Sequence, residues 1–110
     1  MPKYNKLVRD HIPAIVKLTG KNPVVKTLSE DEFASALKRK LREETKEYME
    51  AESGEDAVKE LADILEVVHA LAEVEGVTSE ELEAVRTKKA GERGAFRDKV
   101  CLLEVNDGED

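Results

Sequence analysis

The chain has a single cysteine, Cys101, no tryptophan, two histidines and only 4% aromatic residues. One cysteine excludes an internal disulfide and fits a reducing, cytoplasmic setting. No apolar run approaches the roughly 18 residues that span a bilayer, so no membrane is expected as a partner. The opening MPKYNKLVRDHIP has no long apolar segment of the secretory kind. There is no glycine-rich phosphate loop of the GxxxxGK[ST] or GxGxxG type, which excludes a P-loop mechanism. Positive charge is also in deficit: the formal net charge is -7. A surface of that sign does not displace the counterions of a nucleic-acid polymer. It still admits a small anionic ligand, because a bound metal ion inverts the local sign.

What the chain does have is charge and aliphatic residues. Of its 110 residues, 39% are charged and 40% hydrophobic, against roughly 25% charged in an ordinary globular domain. Apolar residues at helical spacing with solvated outer faces predict a mainly α, single-domain protein. A chain this short buries only about two-thirds of its unfolded surface. A homodimer or homotetramer is the natural way to complete the core.

Pro2, Pro13, Gly20 and Pro23 limit an early helix to about Leu7–Leu18, interrupted near Pro13. Val24–Leu28 is short and β-branched, which predicts a strand. Ser29-x-x-Glu32 is a capping box that opens a long helix. Phe33, Leu37, Leu41, Glu44, Tyr48 and Ala51 then recur on one of its faces. Ser53-Gly54 marks a turn. From about Glu55 to Glu75 apolar residues cover most of the circumference, the pattern of a buried helix. Gly76 stops it, and Thr78-x-x-Glu81 caps a third long helix reaching Ala90 or Gly91. Arg93–Phe96 reads as a turn, and Val100–Val105 as a second short strand with Cys101 as a core thiol. Phe33, Tyr48 and Phe96 read as core rather than as base-stacking platforms. The acidic Asn106–Asp110 reads as a flexible tail.

Four carboxylates stand where apolar residues are expected. Glu44 lies in the apolar stripe, with Glu47 at i+3. Glu60 and Asp63 repeat that spacing on the next helix, with Asp63 among Ala62, Ile64, Val67 and Ala70. The intervening turn makes the helices antiparallel neighbours. Glu47 is six residues before Ser53 and Glu60 six after Gly54, so the two pairs sit at similar heights. Buried charges neutralise, pair or bind metal. An all-oxygen set favours Mg²⁺, with Mn²⁺ as a substitute, over zinc. Taken singly, each carboxylate is better explained as part of a solvated face, with Lys40–Glu44 and Lys59–Asp63 as i, i+4 pairs; the four together, on apolar stripes and symmetric about a turn, favour a shared site.

Glu43-Glu44-x-x-Glu47 followed by Glu60-x-x-Asp63 resembles the EExxE…ExxD signature of the MazG-like all-α nucleoside triphosphate pyrophosphohydrolases. Tyr4-Asn5-Lys6-Leu7-Val8-Arg9-Asp10 with Ile12-Pro13, Leu61–Val67 and Arg93-Gly94-x-Phe96 are similar to a small house-cleaning subfamily related to the phosphoribosyl-ATP pyrophosphohydrolases. The chain departs from that pattern at His11 and Ala95, outside the acidic positions. The resemblance implies a helical bundle built from two or more chains, with Mg²⁺ on Glu44, Glu47, Glu60 and Asp63. It also implies hydrolysis of a nucleoside triphosphate between the α and β phosphates. Glu43 matches a motif letter but sits at the stripe's edge, where it either orients the attacking water or is simply solvated.

Arg86, Lys89 and Arg93 recur at i, i+3 and i+7. They read either as phosphate ligands, with Lys89 and Arg93 the preferred pair, or as cations at a helix C-terminus paired with Glu80–Glu83. Lys6 and Arg9 form a second candidate phosphate cluster. Two other functions fit the same acidic core. One is a non-catalytic, metal-dependent nucleotide-binding module. The other is a di-metal carboxylate bundle, for which Glu66-x-x-His69 supplies only one of the two elements needed.

Overall fold

A computed structural model describes residues 5–108. It contains four helices: α1 (Ile12–Leu18), α2 (Glu30–Glu50), α3 (Gly54–Val74) and α4 (Ser79–Arg93). The protein is mainly α, a helical bundle, as the periodicity predicts. One compact unit ends at Thr78 and holds α1–α3; a second begins at Ser79 and holds α4.

Each start and stop has a local cause. The expected helix from Leu7 with an interruption near Pro13 is not formed: α1 begins at Ile12, and Pro13 sits in its first turn, where its missing N–H is not needed. The Ser29 hydroxyl accepts from the Glu32 N–H at 3.2 Å, and the Glu32 carboxylate accepts from the Ser29 N–H at 3.0 Å. This is the reciprocal box read from the sequence. Ser53 caps α3 by accepting from the Asp56 N–H at 3.1 Å. At the far end of α3, Gly76 adopts φ +83°. Its N–H reaches Glu73 O and that of Val77 reaches Ala72 O, both at 2.9 Å. Those bonds form the Schellman closure that favours glycine. Three residues, 51–53, join α2 to α3. A link that short leaves the helices antiparallel and packed side by side.

The core lies between these two arms. Ala36 and Leu37 of α2 and Val67 and Ala72 of α3 are its buried apolar residues, and no described side chain is completely enclosed. The sequence pattern predicts a fully buried α3, whereas Val58, Leu61 and Leu65 are exposed along it. Within one chain, α2 covers only one side of α3.

The two expected strands are absent. The described residues contain no strand, and neither Val24–Leu28 nor Val100–Val105 enters a ladder. An isolated pair of short strands is marginal in water, and β propensity alone does not supply a partner. Cys101 is therefore exposed and not a core thiol. Phe96 is likewise not core, at 99% exposed; Tyr48 is exposed and Phe33 half-buried. α4 ends on Gly94, whose N–H reaches Ala90 O at 2.8 Å. Of the expected tail, Asn106 accepts from the Gly108 N–H at 3.0 Å; residues 109 and 110 lie outside the described residues, as does Tyr4. No described helix is long and apolar enough to cross a membrane.

Candidate functional site

Helical periodicity puts Glu44 on the face of α2 that meets α3, in line with Leu37 and Leu41. It is the one buried charged residue among those described, 7% exposed. Glu47 lies one turn further on and is exposed; Glu60, facing them from α3, is half-buried. Each of the three offers a carboxylate oxygen within 4.8 Å of the other two. The hairpin thus brings together three of the four expected ligands.

Their electrostatics are those of a crowded, partly dry site. Glu44 Oε2 and Glu60 Oε2 are buried with no hydrogen-bond partner. Between ionised carboxylates no hydrogen bond can form. Once Glu44 takes up a proton it donates to its neighbours. Burial, first, and then this bonding and the charges of Glu47 and Asp63 push its pKa up to about 7. Burial and the adjacent Glu47 also raise Glu60. Among the described residues, the cation nearest Glu44 is Lys40, whose Nζ lies 3.6 Å from Glu44 Oε1 and 3.7 Å from Glu43 Oε2. Lys40 sits on the opposite oxygen of Glu44 and leaves Oε2 unmatched.

A hard divalent cation fits this donor set. Carboxylate oxygens without histidine or thiolate suit Mg²⁺ or Mn²⁺, and two buried, unpartnered oxygens need positive charge. Glu44, Glu47 and Glu60 are the residues that could hold it.

Asp63 stands apart from that trio. Its charge is felt at Glu44 and Glu60, yet its Oδ1 accepts from an Arg9 Nη2 at 2.6 Å. The alternative Lys59–Asp63 pair does not form, because Lys59 turns to Glu55 at 3.7 Å. Glu43 is exposed, at the edge where the stripe ends. Together with Lys6, Lys46, Glu47 and Glu50 it lines an open cleft of about 340 Å³. Glu47 belongs to both the cleft and the carboxylate trio. Of the second cationic pair, Lys6 therefore reaches the cleft and Arg9 reaches Asp63.

The other cations lie on α4, in the second unit. There Glu83 Oε1 and Oε2 accept from Arg86 Nε at 3.0 and 2.9 Å. That pairing lowers the Glu83 pKa and raises that of Arg86. Arg86 thus has Glu83 as its partner on the exposed face of α4. Lys89 and Arg93 are exposed.

One residue and one contact are not foreseen by the sequence pattern. Lys46 lines the cleft, and its place between Glu43 and Glu50 at i−3 and i+4 was the signal available for it. The grip of Arg9 on Asp63 joins residues 54 apart in the chain. No local pattern announces such a contact.

Over 54 residues the chain is 43% identical to an uncharacterized protein of Mycolicibacterium smegmatis, a stretch that takes in 49% of this chain. The matched region spans 55% of that relative, about half its length. No family model matches the chain, and no solved structure matches it.

Proposed function

We propose that the chain is a Mg²⁺-dependent nucleotide pyrophosphohydrolase, splitting a non-standard or surplus nucleoside triphosphate into monophosphate and pyrophosphate. The observation that carries this reading is the buried, unpartnered oxygen on each of Glu44 and Glu60, facing one another across a helical hairpin beside Glu47. The resemblance of the EExxE…ExxD residues to the MazG-like pyrophosphohydrolases supports it.

Glu44, Glu47 and Glu60, joined by Asp63, would hold the cation. When bound, it supplies charge neutralisation at the phosphates and a more acidic water. The remaining work falls to the chain's own side chains. Lys6 and Lys46 put positive charge on the walls of the cleft that opens from Glu47. Glu43, which also lines that cleft, would orient the attacking water. Cleavage breaks the α–β phosphoanhydride, and the water's oxygen ends on one of the two products. No Ser, Cys or His is required, because phosphoryl transfer depends on alignment and charge more than on a covalent nucleophile. Lys89 and Arg93, exposed on α4, are kept as phosphate ligands on their i, i+4 spacing alone. Lys89→Ala is expected to raise KM about tenfold with kcat held, in line with losing one charge-assisted contact. An unchanged KM removes Lys89 from the site.

The deciding assay is pyrophosphate release from a panel of standard, deaminated, oxidised and methylated triphosphates with Mg²⁺. Tight binding without turnover points instead to a metal-dependent binding module. Copurifying iron with oxygen uptake points to the di-metal carboxylate reading.

The same proposal includes a second copy of the chain, as homodimer or homotetramer, in the cytoplasm. Val58, Leu61 and Leu65 recur at i, i+3 and i+7 on the exposed side of α3, and only four apolar residues are buried among those described. A contiguous apolar stripe of this kind marks an interaction surface. Leu61→Asp together with Leu65→Asp is expected to shift sedimentation to the monomer and lower the thermal midpoint. A wild-type protein that sediments as a monomer at micromolar concentration rules the second copy out.

A further inference from the structure

The segment that precedes α1 carries two cations to the acidic hairpin. Arg9 pairs with Asp63 at 2.6 Å, and Lys6 lines the cleft beside Glu43 and Glu47. Both contacts lie in the unit that ends at Thr78. Asp63 is the carboxylate missing from the trio of Glu44, Glu47 and Glu60. The Arg9 and Asp63 side chains are 56% and 37% exposed. An ion pair that open to water is weakly held. Its guanidinium sits on a flexible stem, so it can leave without disturbing the hairpin. Arg also matches phosphate oxygens in a two-pronged geometry that a carboxylate only partly uses.

We propose that Arg9 is a tethered counter-ion of the carboxylate cluster: it competes with a divalent cation for Asp63 and, once displaced, grips the phosphates of a ligand in the cleft beside Lys6. The inference rests on the metal-site reading above and assigns Arg9 a task of its own. While Arg9 holds Asp63, the excess negative charge of the hairpin is partly cancelled. When Asp63 turns to the cation, Arg9 is freed three residues along the chain from Lys6, which lines the cleft. The positive charge that partly neutralised Asp63 then becomes part of the substrate's binding surface. Arg9 is in this account a positioning residue for Asp63 and a binding residue for phosphate.

The two tasks predict opposite effects of one substitution. Full-length wild type, Arg9→Gln and Arg9→Lys are titrated with Mn²⁺ alone, and then with the manganese complex of inorganic tripolyphosphate. Arg9→Gln should bind Mn²⁺ about threefold to tenfold more tightly, since a competitor is gone, and bind the polyphosphate complex about tenfold more weakly. Arg9→Lys should restore much of the competition for Mn²⁺ but less of the polyphosphate affinity. In an Asp63→Asn background, Arg9→Gln should no longer change Mn²⁺ affinity. If Arg9→Gln weakens both affinities together, Arg9 merely holds Asp63 in place and the proposal is overturned. An Mn²⁺ affinity indifferent to Arg9, but lost in Glu44→Gln, also overturns it while leaving the metal site standing. If Mn²⁺ binds neither wild type nor Arg9→Gln, the metal site itself fails and this inference goes with it.

Discussion

Glu47→Gln is expected to leave the helices folded and to cut pyrophosphate release at least about a hundredfold. Glu47 is the most exposed member of the trio and the only one that also lines the cleft. Folding therefore asks little of it, while a ligand lying between cluster and cleft would meet it on both sides. Removing an outer-shell partner of a metal site already costs roughly 10–100-fold; loss of a direct ligand lies beyond that range. The amide keeps the size and one acceptor oxygen but not the charge, so the helix and its packing stay as they are. Circular dichroism should superimpose on the wild type, while turnover at saturating Mg²⁺ collapses. Asp63→Asn should behave similarly and also release Arg9. If both variants turn over at wild-type rates, the acidic hairpin is not where the chemistry occurs, and the reading of the whole site falls.

Much of this site can be read from local rules. The box at Ser29 and Glu32 fixes where α2 begins, and helical periodicity from there places Glu44 in line with Leu37. Counting outward from the Ser53-Gly54 turn sets Glu47 and Glu60 at matching heights. The three carboxylates do meet. Each of these steps uses contacts within one helix or across one tight turn, where the backbone leaves few alternatives. The rest depends on partners distant in sequence. Arg9 and Asp63 are joined through a segment whose path follows from packing, not from propensity. Val24–Leu28 and Val100–Val105 have the composition of strands, but a strand exists only when another accepts its hydrogen bonds. Leu61 and Leu65 have the pattern of a core, and a pattern states that a face is to be covered without stating by what. Arg86 shows the converse: its partner Glu83 lies only three residues away, within reach of a local rule.

Without divalent cations, the protein should lose stability as pH rises from about 5 to about 7.5. Glu44 ionises near 4.5 in an unfolded chain and near 7 in the folded one. Between those values the folded state holds a proton that the unfolded state has released, so raising the pH favours unfolding. The contribution is fully present below about 4.5 and is spent once the pH passes about 7. A displacement of that size corresponds to about 3 kcal/mol, or a fall on the order of 10 °C in the thermal midpoint for a chain of this length. Glu60, raised for the same reason, adds to the slope in the same direction. Glu44→Gln carries no charge to bury and should flatten the profile, melting above the wild type at pH 8. Mg²⁺ or Mn²⁺ should reverse the trend in the wild type alone. A cation binds the ionised carboxylates, so its affinity grows over the very window in which the metal-free protein weakens, and binding to the folded state raises the midpoint by mass action. Melting curves across this range, with chelator and with Mg²⁺, test both halves. A metal-free wild type whose midpoint is level from pH 5 to pH 8 means that Glu44 ionises in contact with water. The dry, crowded pocket between α2 and α3, which gives a cation its reason to bind, is then not there.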